Sequence, residues 1–286
     1  MSLKFHFNHD KIPQPPRQTP DEVIDQFKAA VSANDLDAFH KLLRLHLASG
    51  PNGRFNIHDL YLVMYEAVRQ DHATVVVELL RHGMGMRYTF ALEAILTRAK
   101  DSLCVFIQNG WDVSTPISET EPTVFAYAVA DREMALWLLS HGADLNKQTY
   151  IDLTPMSYAI QFAPPDLVEE LLNRGGDVQR GELLQHALDR PADTVEVLGM
   201  LLDRGALLNA TMYENHDASR RLYPFMEFGT PLHKAAAMGR ADVVRYLLGW
   251  KADATVRDAK GRTAMDCADR AGYDEVVGIL KSVSGE

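Results

Sequence analysis

The sequence predicts an all-α fold of about eight stacked pairs of antiparallel helices. Its clearest sign is a period: Thr230 recurs 33 residues later as Thr263, and Ala235 recurs as Ala268. The same small residue, followed by an apolar pair, can be traced back through most of the chain. A period of this length is typical of a repeat array, in which each helix pair buries its apolar face against the next pair.

Recurring alanines define the first helix of each predicted pair, where a small side chain allows neighbouring helices to approach closely. They are Ala30, Ala67, Ala94, Ala126, Ala159, Ala187, Ala235 and Ala268. About a dozen residues after each alanine, an apolar pair defines the second helix. These pairs are Leu42-Leu43, Leu79-Leu80, Phe106-Ile107, Leu138-Leu139, Leu171-Leu172, Leu201-Leu202 and Leu247-Leu248, and the last copy is Leu280-Lys281. Lys281 in place of an apolar residue predicts that the final helix faces water.

The ends of the helices carry their own signals. Thr19, Pro20 and the acids Asp21 and Glu22 predict the start of the first helix, with Thr19 as its cap. A glycine in the left-handed conformation is expected after most second helices, at Gly83, Gly110, Gly142, Gly175 and Gly205. The seventh pair has Lys251 at this position. Residues 1–19 contain three prolines and predict an extended leader, so the repeat domain is expected to cover 20–283.

One step of the repeat is too long. Ala187 and Ala235 are 48 residues apart, and the excess lies in residues 209–229, just before the penultimate repeat. Insertions between repeats form loops along one edge of the array, which is often the binding edge. This inserted loop is rich in aromatic residues, so its side chains are expected either to fold back onto the array or to contact a partner.

Several segments resemble the ankyrin repeat. Thr230-Pro231-Leu232-His233 is close to the helix-start signature of that family, and residues 154–157 are a weaker copy. The exit at 141–146 and the turn at 258–263 also match, and the resemblance extends over roughly 20–283. It implies an ankyrin-type helical repeat solenoid that binds proteins and is not an enzyme. It also implies that His233 bonds the backbone of adjacent loops and has no catalytic role.

The composition of the chain narrows the classes of function that it can have. The net charge is −10, with no cluster of Lys and Arg, so nucleic acid is not expected as a partner. Two cysteines far apart, together with the lack of a signal peptide or membrane span, predict a cytoplasmic or nuclear protein. The sequence contains no nucleophile elbow and no nucleotide-binding glycine pattern, so we predict no catalytic residue and no cofactor. His216 lies between Glu214 and Asp217, but a polar loop does not fix such ligands, and no metal site is predicted.

We predict two groups of partner-binding residues. Alignment to Met238 and to the neighbouring Ala237 places an apolar strip on the inner face of the first helices, formed by Leu96, Val129, Phe162 and Met238. The insertion adds Tyr213, Arg220, Arg221, Tyr223, Phe225 and Phe228. Three alternatives stay open: the insertion buries the strip, the two together form a small-molecule pocket or an enzyme site, or the strip joins two copies of the chain. The identity of a protein partner does not follow from the sequence.

Overall fold

The computed structural model describes residues 17–48, 54–223 and 228–284. Within these ranges the chain forms sixteen α-helices and no strand, which confirms the predicted all-α fold. The chain divides into two compact units, Met1–Val113 and Ser114–Glu286. The predicted boundaries of the leader and of a single domain over 20–283 remain predictions.

Unit 1, Met1–Val113, contains three helix pairs. They are α1 (Asp21–Ser32) with α2 (Leu36–Leu47), α3 (Tyr61–Arg69) with α4 (Ala73–Arg81), and α5 (Tyr88–Leu96) with α6 (Lys100–Gln108). A 3-10 helix, Ile57–Leu60, leads into α3. The first helices α1, α3 and α5 pack side by side, as the second helices α4 and α6 do. Each pair therefore covers the apolar face of its neighbour.

The start of α1 differs from the prediction at one residue. Pro20, not Thr19, is the capping position, and no side chain caps the helix. Thr19 Oγ1 instead accepts a hydrogen bond from the backbone N–H of Asn56 at 2.9 Å, and the Thr19 N–H donates to Asp59 Oδ2 at 2.8 Å. The predicted cap was wrong because the Thr19 side chain is hydrogen-bonded to the turn before α3 and not to the first turn of α1.

Unit 2, Ser114–Glu286, contains five pairs. The first is a 3-10 helix (Val124–Tyr127) with α7 (Arg132–Ser140). The others are α8 (Pro155–Phe162) with α9 (Pro165–Asn173), α10 (Leu183–Leu188) with α11 (Thr194–Asp203), α13 (Pro231–Ala237) with α14 (Ala241–Gly249), and α15 (Ala264–Ala271) with α16 (Asp274–Ser284). The insertion before α13 carries the short helix α12 (Asp217–Leu222).

The recurring alanines are buried at all eight positions, and Ala30 is the most accessible at 6%. The five predicted exit glycines all have left-handed φ angles. Lys251 adopts the same conformation, with φ +67°, at the position where the other repeats have glycine. Lys281 is exposed, as expected for the outer face of the last helix.

The first pair of unit 2 departs from the regular repeat. Two fewer residues separate Thr123 from Leu138 than separate Thr230 from Leu247. Its first helix is therefore reduced to one 3-10 turn, and Ala126 occupies the position where Ser157 and His233 close capping boxes with Thr154 and Thr230. Thr123 Oγ1 consequently has no hydrogen-bond partner among the residues that the structure describes.

Candidate functional site

The first helices of unit 2 form one continuous surface, because each packs against the next from the 3-10 helix through α8, α10 and α13 to α15. We call this surface the first-helix face. Its accessible or half-buried side chains include Tyr127, Tyr158, Phe162, His186, Lys234 and Met238.

An aromatic cluster lies at one end of the first-helix face. The ring centroids of Tyr127 and Tyr158 are 6.4 Å apart, and those of Tyr158 and Phe162 are 6.0 Å apart. All three side chains are half-buried. Burial, followed by the nearby carboxylate of Glu121, raises the pKa of Tyr158, so its hydroxyl stays protonated at neutral pH. The cluster offers apolar area together with two hydroxyl groups.

The centre of the face is polar and internally paired. Lys234 Nζ donates to Asp189 Oδ2 at 2.8 Å and to the carbonyl oxygen of Gln185 at 2.9 Å. His186 Nδ1 lies 3.3 Å from Gln161 Oε1. Burial, and then the positive charge of Lys234, lower the pKa of His186 to about 4, so the imidazole is neutral at physiological pH.

The predicted apolar strip is interrupted. Phe162 is half-buried and Met238 is 41% exposed, but Val129 is only 2% exposed and belongs to the core. The alignment placed Val129 on the surface because it assumed a regular α-helix, whereas the first helix of this pair is the 3-10 helix Val124–Tyr127. Arg190, between Phe162 and Met238 in the repeat order, is also buried. Leu96 is 39% exposed at the end of α5 in unit 1.

The insertion folds back onto its own unit. Tyr213 is 8% exposed and Phe228 is 6% exposed, so both pack inside, and their prediction as accessible contact residues was wrong in this respect. Their ring centroids are 5.9 Å apart in an edge-to-face arrangement, and Tyr223 stacks on Tyr213 at 6.3 Å. Of the two expectations for the insertion, the rings thus fold back onto the array, because burying them removes a large apolar area from water.

Hydrogen bonds tie the insertion to the repeats. The Tyr213 N–H donates to Glu182 Oε1 at 2.6 Å, and the Asp152 N–H donates to Ser219 Oγ at 2.9 Å. The side chain of Gln185 donates to the carbonyl oxygen of Gly229 at 3.0 Å. Ser219 is fully buried, which makes its contact with Asp152 a fixed point of the segment.

The exposed part of the insertion is the surface of α12. Arg220 and Arg221 are exposed, as predicted, and Tyr223 is half-buried. The Arg220 guanidinium carbon lies 5.9 Å from the centroid of the Phe228 ring. Leu222 is 45% exposed and was not among the predicted contact residues, although its place after two arginines was a usable signal. Phe225 lies outside the described residues.

Two cavities border the insertion. One, of about 320 Å³, lies between the insertion and the loop edge, where its walls include Gln148, Asp152, Arg180, Glu182, Glu214 and His216. The other, of about 240 Å³, opens beside the first-helix face, where its walls include Gln185, Met212, Phe228, Lys234, Ala237 and Cys267. Burial raises the pKa of Glu182 to about 7; the hydrogen bond from the Tyr213 N–H opposes this shift, and the nearby carboxylates of Asp152 and Glu214 add to it.

His233 has the bracing role that the resemblance implied. Its Nδ1 accepts the Thr230 N–H at 3.1 Å, and its Nε2 lies 3.0 Å from the carbonyl oxygen of Arg262 in the next loop. Burial lowers the pKa of His233, which favours the neutral ring that can donate at one nitrogen and accept at the other. Both ring nitrogens are engaged in holding two loops together.

Two further features bear on function. In the ranges that the structure describes, no group of three or more His, Cys, Asp or Glu side chains is arranged to hold a metal ion. Over the same ranges, no helix combines the length and the apolar character that crossing a bilayer requires.

Comparison with known proteins gives a consistent picture. A family model described as ankyrin repeats, in three copies, matches residues 181–285. The chain is 31% identical over 162 residues to an ankyrin repeat protein of Fowlpox virus (strain NVSL), which is 52% of this chain and 43% of the relative. It is 36% identical over 107 residues to the Neurogenic locus Notch protein of Drosophila melanogaster, 37% of this chain and 3% of that protein. A second Fowlpox virus ankyrin repeat protein is 25% identical over 126 residues, 43% of this chain and 40% of the relative. The chain thus matches less than half the length of each of these relatives.

Proposed function

Because this chain is an ankyrin repeat protein, we propose that it binds a protein partner through the first-helix face of unit 2 and the adjoining surface of α12. The observation that carries the proposal is the half-buried aromatic cluster of Tyr127, Tyr158 and Phe162. Rigid aromatic side chains contribute large contact area at low entropic cost, and they dominate the energetics of protein interfaces.

The surroundings of the cluster fit the same role. His186, Asp189 and Lys234 form a polar region beside the aromatic rings, and Met238 adds an exposed apolar side chain further along the face. Protein interfaces combine apolar anchors with a polar rim of this kind. We place the main contact at Phe162, where a partner side chain would meet the ring of Tyr158 as well.

The surface of α12 supplies the second contact. Arg220 and Arg221 are exposed there and Leu222 is 45% exposed, so the helix presents two cations beside an apolar side chain. The net charge of −10 argues against a nucleic-acid partner despite these two arginines. Neither Cys104 nor Cys267 forms a disulfide in the described part of the chain, which supports a reducing cytoplasmic or nuclear compartment as part of the proposal.

Affinity capture from the native source tests the proposal. The wild-type chain and the variants Phe162→Ala and Trp250→Ala are immobilised side by side, because Trp250 is a 38% exposed aromatic residue at the end of α14. We expect Phe162→Ala to retain at least about tenfold less of a specific partner, the loss of a typical interface anchor, while Trp250→Ala retains it fully. Equal retention by the wild type and Phe162→Ala overturns the proposal.

A small-molecule site is the second candidate, favoured by the cavity of about 320 Å³ beneath the insertion. Pockets for small molecules are concave and carry a few convergent polar groups, such as the side chains of Gln148 and Asp152 here. This candidate predicts a metabolite that raises the melting temperature of the wild type and has no effect on Gln148→Leu. If ligand screening finds no such compound, the protein-binding proposal stands alone.

A further inference from the structure

We propose that the cavity of about 320 Å³ beneath the insertion binds an organic cation, a guanidinium or ammonium group carried on an apolar stem. This inference rests on the small-molecule candidate above and names its ligand class, whereas the protein-binding proposal does not depend on it. The cavity lies within unit 2, and its volume is at the lower end of the range of small-molecule pockets.

Carboxylates from three separate segments line the cavity, and hydrogen bonds hold one oxygen of each. Asp152 Oδ1 accepts the Gly181 N–H at 2.7 Å. Glu182 Oε1 accepts the Tyr213 N–H at 2.6 Å. Glu214 Oε2 accepts a backbone N–H of its own turn at 2.9 Å. The three carboxylates are therefore fixed in position before a ligand arrives.

The second oxygen of each carboxylate is left for a ligand. In the described part of the chain, Asp152 Oδ2, Glu182 Oε2 and Glu214 Oε1 accept no hydrogen bond and form no ion pair. Asp152 is only 8% exposed, and a buried carboxylate oxygen without a donor is costly. A cation with several N–H donors satisfies such oxygens, and a guanidinium group carries its donors in a fixed fork.

The wall of the cavity does not supply the opposite charge itself. Among its described residues, the cationic side chain is that of Arg180, which pairs with Asp177 at 3.2 Å. His216, also in the wall, uses Nδ1 as the acceptor for the Ser219 N–H at the start of α12. Over the described ranges, no group of acidic and imidazole side chains is arranged to hold a metal ion. An organic cation, whose donors are spread over several atoms, fits this wall better than a metal ion does.

Apolar side chains complete the wall and determine the rest of the ligand. Leu183 and Ala206 are buried, and Leu207 is 56% exposed. Long cationic groups lay their carbon chains along apolar surface while the charged head keeps polar partners. The exposed leucine beside the carboxylates offers that surface, so the site favours a cation with an apolar stem over a bare one.

Titration of the isotope-labelled full chain with n-pentylguanidinium tests the inference. The amides of Gly181 and Tyr213 are the reporters in the NMR spectrum, because each donates to a carboxylate of the cavity. The neutral n-pentylurea has nearly the same shape and is the matched probe. At about pH 8, above the raised pKa of Glu182, we expect n-pentylguanidinium to shift both amide signals with a Kd of about 1 mM. We expect n-pentylurea to bind at least about tenfold more weakly.

Two variants separate the charge from the stem. Asp152→Asn keeps an acceptor for the Gly181 N–H and removes the charge, and Glu169→Gln removes one charge from the exposed surface of α9 as its control. We expect Asp152→Asn to weaken n-pentylguanidinium binding about tenfold, and Glu169→Gln to leave it within about twofold. Leu207→Ala changes an exposed side chain, so the variant folds; it should weaken the n-pentyl probe about threefold and leave methylguanidinium unaffected.

The outcomes separate this inference from the function on which it rests. Equal affinity for n-pentylguanidinium and n-pentylurea overturns the cation and leaves a small-molecule site in place. No shift of either reporter amide at about 10 mM n-pentylguanidinium overturns the inference, while ligand screening with Gln148→Leu still decides the small-molecule candidate.

Partner capture in the presence of each probe distinguishes the two sources of such a cation. If n-pentylguanidinium releases the captured partner and n-pentylurea does not, the cation is an arginine side chain of that partner. If both probes leave capture unchanged while n-pentylguanidinium binds, the cation is a free small molecule.

Discussion

The guanidinium of Arg190 donates a hydrogen bond to the carbonyl oxygen of Ile160, in the last turn of α8. In a continuing helix this oxygen would accept the N–H of residue 164, but residue 164 is proline and has none. Arg190 also donates to the carbonyl oxygens of Ala163 at 2.9 Å and Ala192 at 3.2 Å. One buried side chain thus fixes the end of α8, where Phe162 lies.

Replacing Arg190 by methionine should destabilise the protein by about 2–3 kcal/mol, because buried carbonyl oxygens lose charged donors. Lysine should rescue little, since an ammonium group cannot match the planar fork of a guanidinium. Chemical denaturation measures both effects. Arg174→Met is the control, because Arg174 is exposed, and its change should stay within about 0.5 kcal/mol. If Arg190→Met destabilises the protein as little as Arg174→Met does, Arg190 does not fix the end of α8.

Lys251→Gly should stabilise the protein by up to about 1 kcal/mol. The lysine has φ +67°, a conformation that costs a residue with a Cβ about 1–2 kcal/mol and glycine very little. The reverse change, Gly205→Ala, should destabilise by a similar amount, because φ is +82° there and nothing lies within 4 Å of the added Cβ. Thermal unfolding of both variants gives the comparison. Destabilisation by Lys251→Gly would show that its side chain makes a contact worth more than the strain.

Two threonines at equivalent positions should respond in opposite ways to valine. Thr123→Val should stabilise by about 1 kcal/mol, because it removes a fully buried hydroxyl without a partner among the described residues. Thr154→Val should destabilise by about 1 kcal/mol, because Thr154 Oγ1 accepts the Ser157 N–H at the start of α8. The midpoint of denaturant unfolding measures the stability change of each variant. The same sign for the two variants would refute the difference in capping.

The alanines show why the fold could be predicted from sequence. A position that must allow close helix packing accepts few residue types, so Ala67, Ala159 and Ala235 stay recognisable although the loops between them vary. Val129 shows the limit. Val129 has the same spacing from its alanine and its leucine pair as Met238 has, but its first helix starts late and winds as a 3-10 turn, which the spacing does not reveal.

The candidate site was less predictable than the fold. The aromatic insertion was recognisable by its length, but whether Tyr213 points inward depends on the hydrogen bond from its N–H to Glu182, which no local pattern encodes. The cluster of Tyr127 and Tyr158 was missed because Tyr127 directly follows its recurring alanine and Tyr158 directly precedes its own, outside the rows that the alignment followed. The alignment of the repeats did predict Phe162, which is one member of the cluster.

The lowered pKa of His186 predicts how the free energy of unfolding changes in acid. Its pKa in the folded state is about 4, below the ordinary value of 6.5, so the unfolded chain binds the proton more tightly. This contribution to stability is therefore complete above pH 6.5 and is lost as the pH falls towards about 4, by about 3 kcal/mol. His186→Gln should remove this part of the pH dependence in denaturation measured across the range. An unchanged slope in the variant would assign the acid sensitivity to other groups.

The most direct measurement of the central claim is site-specific photo-crosslinking with a photoreactive residue at position 162, 238 or 169. Positions 162 and 238 lie on the first-helix face, and Glu169 is exposed on α9. If the face binds the partner, the reactive group at 162 and 238 forms a covalent adduct with the same captured protein, and the group at 169 does not. An adduct that forms at 169 and at neither 162 nor 238 would contradict the account.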